Sequence, residues 1–218
     1  MSKIDFKKEF KELFNPPVSK VSVVDVPEMN FIMVDGKGDP NNSELFNDAV
    51  ESLYSVAYSV KFSLKRQYSK ASLSEASVTE DKAFPDYTVP PLEGLWWCGD
   101  NTGQFNIDDK ETWKWTLMIM QPDFITPADI DSAVRNVSGK KKLESLRSIR
   151  FEKYKEGRTA QIMHIGPYAD EAPSVKRLHC FIQENGYRLS GKHHEIYLSD
   201  PKKSKPEKMK TIIRQPFR

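Results

Sequence analysis

The chain has little of what marks membrane, disulfide-rich and nucleic-acid-binding proteins. No apolar run approaches the roughly 20 residues of a transmembrane helix. The two cysteines, Cys98 and Cys180, lie far apart without a Cys-x-x-Cys or other ligand spacing, which favours free thiols over a disulfide framework or a zinc site. The net charge of +2 is spread over mixed signs rather than one basic stripe, so nucleic acid is not an expected partner.

What is present is typical of one soluble globular unit. The 218 residues are 38% hydrophobic and 29% charged, which is enough to bury a core without a membrane or disulfides. The first residues mix acids and bases around Phe6 and Phe10, unlike a secretory signal or a transit peptide. We therefore expect a cytoplasmic protein with a single domain over residues 1–218, bound neither to a membrane nor to a protein partner.

Two short segments, 91–97 and 193–199, each place a carboxylate near the start of an apolar strand that contains aromatic residues. Side chains alternate between the two faces of an extended strand, so residues two apart share a face. We therefore expect Glu93 and Glu195 to occupy corresponding faces of two similar strands. The face so defined carries Glu93, Leu95, Trp97, Glu195 and Tyr197.

These strands belong to a longer repetition that predicts an internal duplication. An apolar strand ending at a glycine turn, a helix, a carboxylate-bearing strand and a strand closed by Gln-Pro occur twice in this order. The other corresponding segments are 31–40 with 159–168 and 114–122 with 208–216. The chain thus predicts two β-α-β-β halves with pseudo-two-fold symmetry.

The expected fold class is α+β, with antiparallel sheets, helices on one side and a ligand groove on the other. The halves cover about residues 18–122 and 147–218 and are joined by a helix and a basic linker at 126–146. Each half should begin with a β-hairpin, turned at Pro27-Glu28 in the first and around Glu156-Gly157 in the second.

Apolar residues at three- and four-residue spacing between Leu45 and Leu64 predict a long helix, capped by Asn42 or Ser43. Residues 66–90 show no sustained period and predict a loop, either a lid over the groove or a plain solvated connection.

We expect the helix-free faces of the two halves to form the groove, because small-molecule sites are usually concave and mostly apolar with a few polar groups. Glu93, Glu195 and Tyr197 are the candidate catalytic residues. Trp97 should stack on the ligand, whereas Trp96 should point into the core. The candidate ligand contacts are Trp97, Leu95, Tyr87, Tyr54, Tyr58, Trp96 and His193, although tyrosines at helical spacing such as Tyr54 and Tyr58 are more often core packing.

Several motifs together carry a family resemblance. They are Ile165-Gly166-Pro167-Tyr168, Glu184-Asn185-Gly186-Tyr187, and the segments 195–201 and 211–216, with 30–40 and 89–97 in the first half. The second half resembles the GyrI-like small-molecule-binding family, and the first-half motifs are similar to a stand-alone bacterial subgroup of it. The resemblance implies a duplicated β-α-β-β fold that occurs alone or fused to the DNA-binding domains of multidrug-sensing regulators. It also implies bulky aromatic or cationic ligands, with an acid at the position of Glu195 inside the pocket.

The same resemblance implies a possible activity, since some stand-alone GyrI-like proteins hydrolyse cyclopropane-bearing DNA-alkylating compounds as detoxification. One glutamate would orient and deprotonate water, and Tyr197 or the second glutamate would donate to the developing phenolate. The alternatives are a non-catalytic module that sequesters aromatic or cationic drugs and an inhibitor that binds a protein partner. No cofactor or metal is expected, because His193 and Glu195 converge without a third ligand.

Overall fold

The structure, a computed structural model, describes residues 3–74, 86–99 and 112–218. In these ranges six antiparallel strands form a closed barrel, with the neighbour order β1-β3-β2-β5-β6-β4 and β4 paired back to β1. The strands are β1 (Ser22–Lys37), β2 (Leu92–Trp97), β3 (Lys114–Gln121), β4 (Arg150–Ile165), β5 (His193–Tyr197) and β6 (Lys210–Pro216). The expected antiparallel α+β architecture is confirmed, whereas the internal duplication stays a prediction.

Three longer helices cover the outside of the barrel. They are α3 (Glu44–Ser74), α4 (Pro127–Ser138) and α5 (Ala172–Glu184). The first two pack with Trp96, Trp115 and Leu117 in one apolar cluster, and α5 packs on Ile162 and Ile213 in another. None of the helices in the described ranges carries an apolar stretch long enough to cross a bilayer.

Two one-turn helices, α1 (Phe6–Glu9) and α2 (Lys11–Phe14), contribute to the inside of the barrel. Leu13 and Phe14 pack with Ile196 and Ile212, while Phe6 joins a methionine-rich cluster around Met118. Apolar side chains and buried charged groups fill the helix-free face of the sheet, so this face is not the open groove that we expected.

Both predicted hairpins are wrong. β1 and β4 are single 16-residue strands that run through Pro27 and Gly157 and pair with each other, with Val26 opposite Gly157 and Met33 opposite Arg150. Proline and glycine are typical of turns. Here Gly157 takes φ 73° inside the strand, where it allows a bend rather than a reversal of direction.

The predicted starts of helices α3 and α4 are confirmed. Ser43 Oγ accepts the Phe46 amide at 3.1 Å and caps α3, and Thr126 forms a capping box at the start of α4. The end of α3 differs from the prediction, because the helix continues to Ser74 and includes the first part of the predicted 66–90 loop. Residues 75–85 of that loop lie outside the described residues.

Candidate functional site

The register between β2 and β5 separates the two carboxylates. Gly94 lies opposite Glu195, and Ile196 lies opposite Glu93. Directly opposed residues in an antiparallel pair share a face, so Glu195 points toward the helices and Glu93 points into the barrel. The predicted shared face is therefore wrong. Side chains alternate along each strand as expected. However, β2 and β5 pair with a one-residue offset from the expected register, which places Glu93 and Glu195 on opposite faces of the sheet.

Glu195 lies at the centre of a hydrogen-bonded group on the helix side of the sheet. Tyr197 Oη donates to Glu195 Oε2 at 2.7 Å, and His193 Nε2 donates to Glu195 Oε1 at 3.1 Å. Trp96 Nε1 in turn donates to Tyr197 Oη at 3.2 Å. The Glu195 side chain is 14% exposed, so solvent reaches a site whose polar groups are already oriented.

A second carboxyl group, Glu171, lies against Glu195 from the residue that precedes α5. Burial and the neighbouring Glu195 carboxylate raise the pKa of Glu171 to about 10. Burial also acts to raise the pKa of Glu195, but the hydrogen bonds from His193, Tyr197 and Glu171 outweigh it and lower that pKa. Two buried carboxyls this close disfavour double ionisation, so at neutral pH the pair favours holding one proton between them.

Aromatic rings and one glycine shape the surroundings of this pair. The Tyr168 ring meets the Tyr197 ring edge-on, with centroids 5.5 Å apart, and Tyr168 is 39% exposed. Tyr54 on α3 hydrogen-bonds the Leu92 backbone. A Cβ at Gly94 would lie 2.8 Å from Trp96 Nε1 and 3.0 Å from Tyr197 Oη, so the absence of a side chain makes room for both.

Of the predicted site residues, the structure brings Glu195, Tyr197, Trp96 and His193 together. Trp96 also packs on Phe46 in the core, as predicted.

The other predicted contacts lie elsewhere. Leu95 is in the barrel interior, and Trp97, two residues along the same strand, is covered by Lys192 with Nζ 3.5 Å from the ring centroid. Tyr87 is buried against Phe124. Tyr58 is 45% exposed on α3 and stacks on Tyr54, one turn away from the group around Glu195.

Glu93 belongs to a separate chain of buried charges inside the barrel. Its Oε2 lies 3.0 Å from His194 Nε2, and His194 Nδ1 lies 3.0 Å from Glu156 Oε1. Glu156 Oε2 lies 3.6 Å from an Arg214 guanidinium nitrogen. A neutral imidazole has one N–H, so an imidazole between two carboxylates is charged. Burial opposes this charge, but Glu156 and Glu93 raise the pKa of His194 to about 9.

This interior chain also holds the two short helices. Arg214 donates to the Leu13 carbonyl and, through Nε, to Gln161 Oε1 at 2.8 Å. Gln161 Nε2 donates to the Glu12 carbonyl at 2.6 Å. We infer a structural role for these charges, because each carboxylate pairs with a cationic side chain inside the fold.

Glu171, the second acid of the site, was not among the predicted site residues. It precedes a helix, where an acidic residue is ordinarily explained by the helix dipole, and no local signal shows that it meets a carboxylate from a strand. Glu156 was missed because it was assigned to a turn. In the described ranges no three His, Cys, Asp or Glu side chains are grouped to hold a metal ion.

Residues 19–217 match the model of the GyrI-like small molecule binding domain. The chain belongs to the GyrI-like family. Three structures of Listeria innocua proteins are similar to it over at least 99% of this chain and 100% of each of theirs. An uncharacterized conserved protein is 42% identical with a TM-score of 0.81. A hydrolase encoded by lin2189 is 41% identical with a TM-score of 0.78, and another hydrolase is 40% identical with 0.77. No protein of curated function matches the chain.

Proposed function

We propose that this GyrI-like protein hydrolyses a strained, electrophilic aromatic compound, of the cyclopropane-bearing DNA-alkylating class, at the Glu195 site. The observation that carries the proposal is the placement of two carboxyl groups, Glu171 and Glu195, side by side, where burial and mutual repulsion raise the pKa of Glu171. Such a pair supplies a general acid and a general base in one place. The two relatives described as hydrolases, at 41% and 40% identity over nearly the whole chain, support the reaction class.

Glu195 is the proposed base. It is ionised, it is partly open to solvent, and donors from Tyr197 and His193 fix both of its oxygens. A water molecule held by Glu195 attacks the cyclopropane methylene carbon and gives its proton to Glu195. The carbon–carbon bond to the dienone breaks, and its electron pair moves into the ring as the ring becomes a phenolate.

Glu171 is the proposed acid. Its proton passes to the oxygen on which the phenolate charge develops, so that the product is the substrate plus one water. After this step Glu195 carries a proton and Glu171 is ionised. Because the two carboxyls are neighbours, transfer of the proton from Glu195 back to Glu171 restores the starting state.

The second carboxyl group of the proposed site is Glu171, and not Glu93 as the sequence had suggested. Glu93 lies on the other face of the sheet and is hydrogen-bonded to His194, so a ligand at Glu195 does not meet it. Tyr197 keeps a role as the donor that holds Glu195, and Tyr168 and Tyr54 are the proposed aromatic contacts. Trp97, Leu95 and Tyr87 lie outside the proposed site.

The test is a mass-spectrometric time course of a cyclopropane-bearing DNA alkylator with substoichiometric protein. Multiple turnovers to a product heavier by one water are expected, and Glu195→Gln and Glu171→Gln should each lower kcat by about 100-fold or more. Glu93→Gln is the matched control and should keep turnover. Loss of turnover in a folded Glu93→Gln protein, with Glu171→Gln active, would overturn the assignment of the second acid.

Binding without turnover is the second candidate function, because an ionised carboxylate beside aromatic rings suits an aromatic cation. In that case the same time course returns unchanged compound, with at most one equivalent retained. Glu195→Gln should then weaken the binding of a cationic ligand and leave a neutral analogue of the same shape unaffected. The partner-binding alternative stays a prediction.

A further inference from the structure

His164 lies near the site but outside the group that touches Glu195. It is opposite Thr211 in β6, and Thr211 is opposite Tyr197 in β5, so the three residues form one row across the sheet. His164 is buried, and both of its ring nitrogens are used. Nδ1 lies 3.1 Å from Ser174 Oγ, and Nε2 lies 3.1 Å from the Pro167 carbonyl.

The two partners fix the tautomer of this imidazole. A carbonyl oxygen only accepts, so Nε2 carries the proton and donates it to Pro167. Nδ1 is then an acceptor, and the Ser174 hydroxyl donates to it. His164 therefore ties β4 to both ends of the short segment 167–174.

This segment carries two residues of the proposed site. Tyr168, in a 3-10 turn of three residues, packs on Tyr197, and Glu171 contacts Glu195.

The start of α5 has no side-chain cap, although backbone hydrogen bonds such as Glu171 N to the Tyr168 carbonyl order the turn before it. Glu171 occupies the N-cap position without a side-chain cap hydrogen bond, unlike Thr126 at the start of α4. The bond between Ser174 and His164 leaves the orphan amides of the first turn uncapped but ties this turn to β4.

We propose that His164 is a positioning residue, which holds Glu171 against Glu195 by clamping the Pro167 carbonyl and the Ser174 hydroxyl. Its catalytic consequence rests on the proposed function. Its structural consequence does not, because without the clamp Glu171 moves toward solvent and loses its contact with the Glu195 carboxylate. The pKa of Glu171 then falls toward that of an ordinary glutamate.

The test uses three substitutions of His164 that separate its two hydrogen bonds, to Ser174 and to Pro167. His164→Leu removes both hydrogen bonds, His164→Gln keeps a donor toward Pro167, and His164→Asn keeps an acceptor for Ser174. Ser174→Ala is the control that removes one bond from the other side. Thermal melting shows that each variant is folded.

The first measurement needs no substrate. The infrared band of a protonated carboxyl, assigned to Glu171 by its loss in Glu171→Gln, is followed against pH. His164→Leu should lower the midpoint of this titration by about one pH unit or more, and the variants that keep one bond should lie between. The second measurement is the pH–rate profile, in which kcat should fall with little change in KM and the loss on the alkaline side should begin at lower pH.

A folded His164→Leu protein with the wild-type titration midpoint would overturn the proposal and leave His164 as an ordinary structural histidine. If His164→Leu does not fold, unchanged midpoints in both His164→Gln and Ser174→Ala would have the same effect. Absence of hydrolysis in the wild-type protein would refute the proposed function alone. The infrared titration would still decide whether His164 positions Glu171.

Discussion

Replacing Gly94 with alanine tests the geometry of the site directly. The new methyl carbon would lie 2.8 Å from Trp96 Nε1 and 3.0 Å from Tyr197 Oη, closer than packed atoms allow. One of the two aromatic side chains must move. Either movement breaks or lengthens the 3.2 Å hydrogen bond between Trp96 and Tyr197, and Tyr197 then no longer holds Glu195 Oε2 as it does now.

The expected loss of stability follows from these contacts. Overpacking a well-packed site costs about 1–3 kcal/mol. The disturbed hydrogen bond adds about 1 kcal/mol. Alanine in a strand regains about 0.5–1 kcal/mol relative to glycine, because glycine loses more backbone entropy on folding. The free energy of unfolding should therefore fall by about 1–3 kcal/mol in Gly94→Ala. Activity or ligand binding should fall as well.

Two other glycines give matched controls in the same urea-unfolding assay. A Cβ at Gly139 would meet only two backbone carbonyl oxygens at 3.7 Å, and this residue has φ −72°, which alanine adopts freely. Gly139→Ala should be neutral or stabilising by up to about 1 kcal/mol. A Cβ at Gly36 would lie 2.1 Å from the buried Trp115 ring, so Gly36→Ala should cost more than Gly94→Ala. Wild-type stability and ligand affinity in Gly94→Ala would refute the packing described for β2.

Three further predictions concern ionisable groups. The pKa of His194 is raised to about 9 in the folded protein, above its unfolded value. Its contribution to the free energy of unfolding is therefore complete below about pH 6.5 and is lost as the pH rises toward 9. Urea unfolding should show a loss of up to about 3 kcal/mol across that window, and His194→Gln should flatten it. Burial and His193 lower the pKa of His179 to about 4, so stability should instead fall between pH 6.5 and 4, measured as Tm, and His179→Gln should remove that fall. Tyr197→Phe removes a donor to Glu195, so the pKa of Glu195 should rise and the acid limb of the pH–rate profile should move to higher pH.

Each of these predictions has a contradicting outcome. An unchanged alkaline slope in His194→Gln would show that the interior imidazole is neutral in the fold. If the fall in Tm between pH 6.5 and 4 persists in His179→Gln, other groups cause it and the prediction for His179 is wrong. An acid limb that stays in place in Tyr197→Phe would show that Glu195 is not the base.

Local signals in the sequence were sufficient for the starts of α3 and α4, although not for the end of α3. The three- and four-residue spacing that begins after Ser43 defines α3, and Thr126 with Pro127 defines the start of α4. In both cases the residues that decide the structure are neighbours in the chain. The same holds for β2, β3 and β6, each of which has adjacent apolar residues that indicate a buried strand.

Pairing between distant strands could not be obtained in this way. Pro27 and Gly157 carry ordinary turn signals, yet each lies within a long strand that pairs with the other, from Ser22 opposite Gln161 to Met33 opposite Arg150. The faces of Glu93 and Glu195 depend on a one-residue offset between β2 and β5, which neither strand encodes alone. The meeting of Glu171 with Glu195 depends on both that offset and the position of α5.

The closed order of the strands ties the two parts of the chain together during folding. β1 pairs with β4, and β2 pairs with β5, so each part of the chain supplies neighbours that the other needs. A fragment ending before residue 150 would present the unpaired backbone of β1 and β2, the kind of strand edge through which chains aggregate. On the ribosome β1 can pair with β3, but its second partner, β4, is synthesised later. Ring closure is therefore a late, long-range step, and substitutions that weaken β4 or β5 should slow folding and favour aggregation before they abolish the native state.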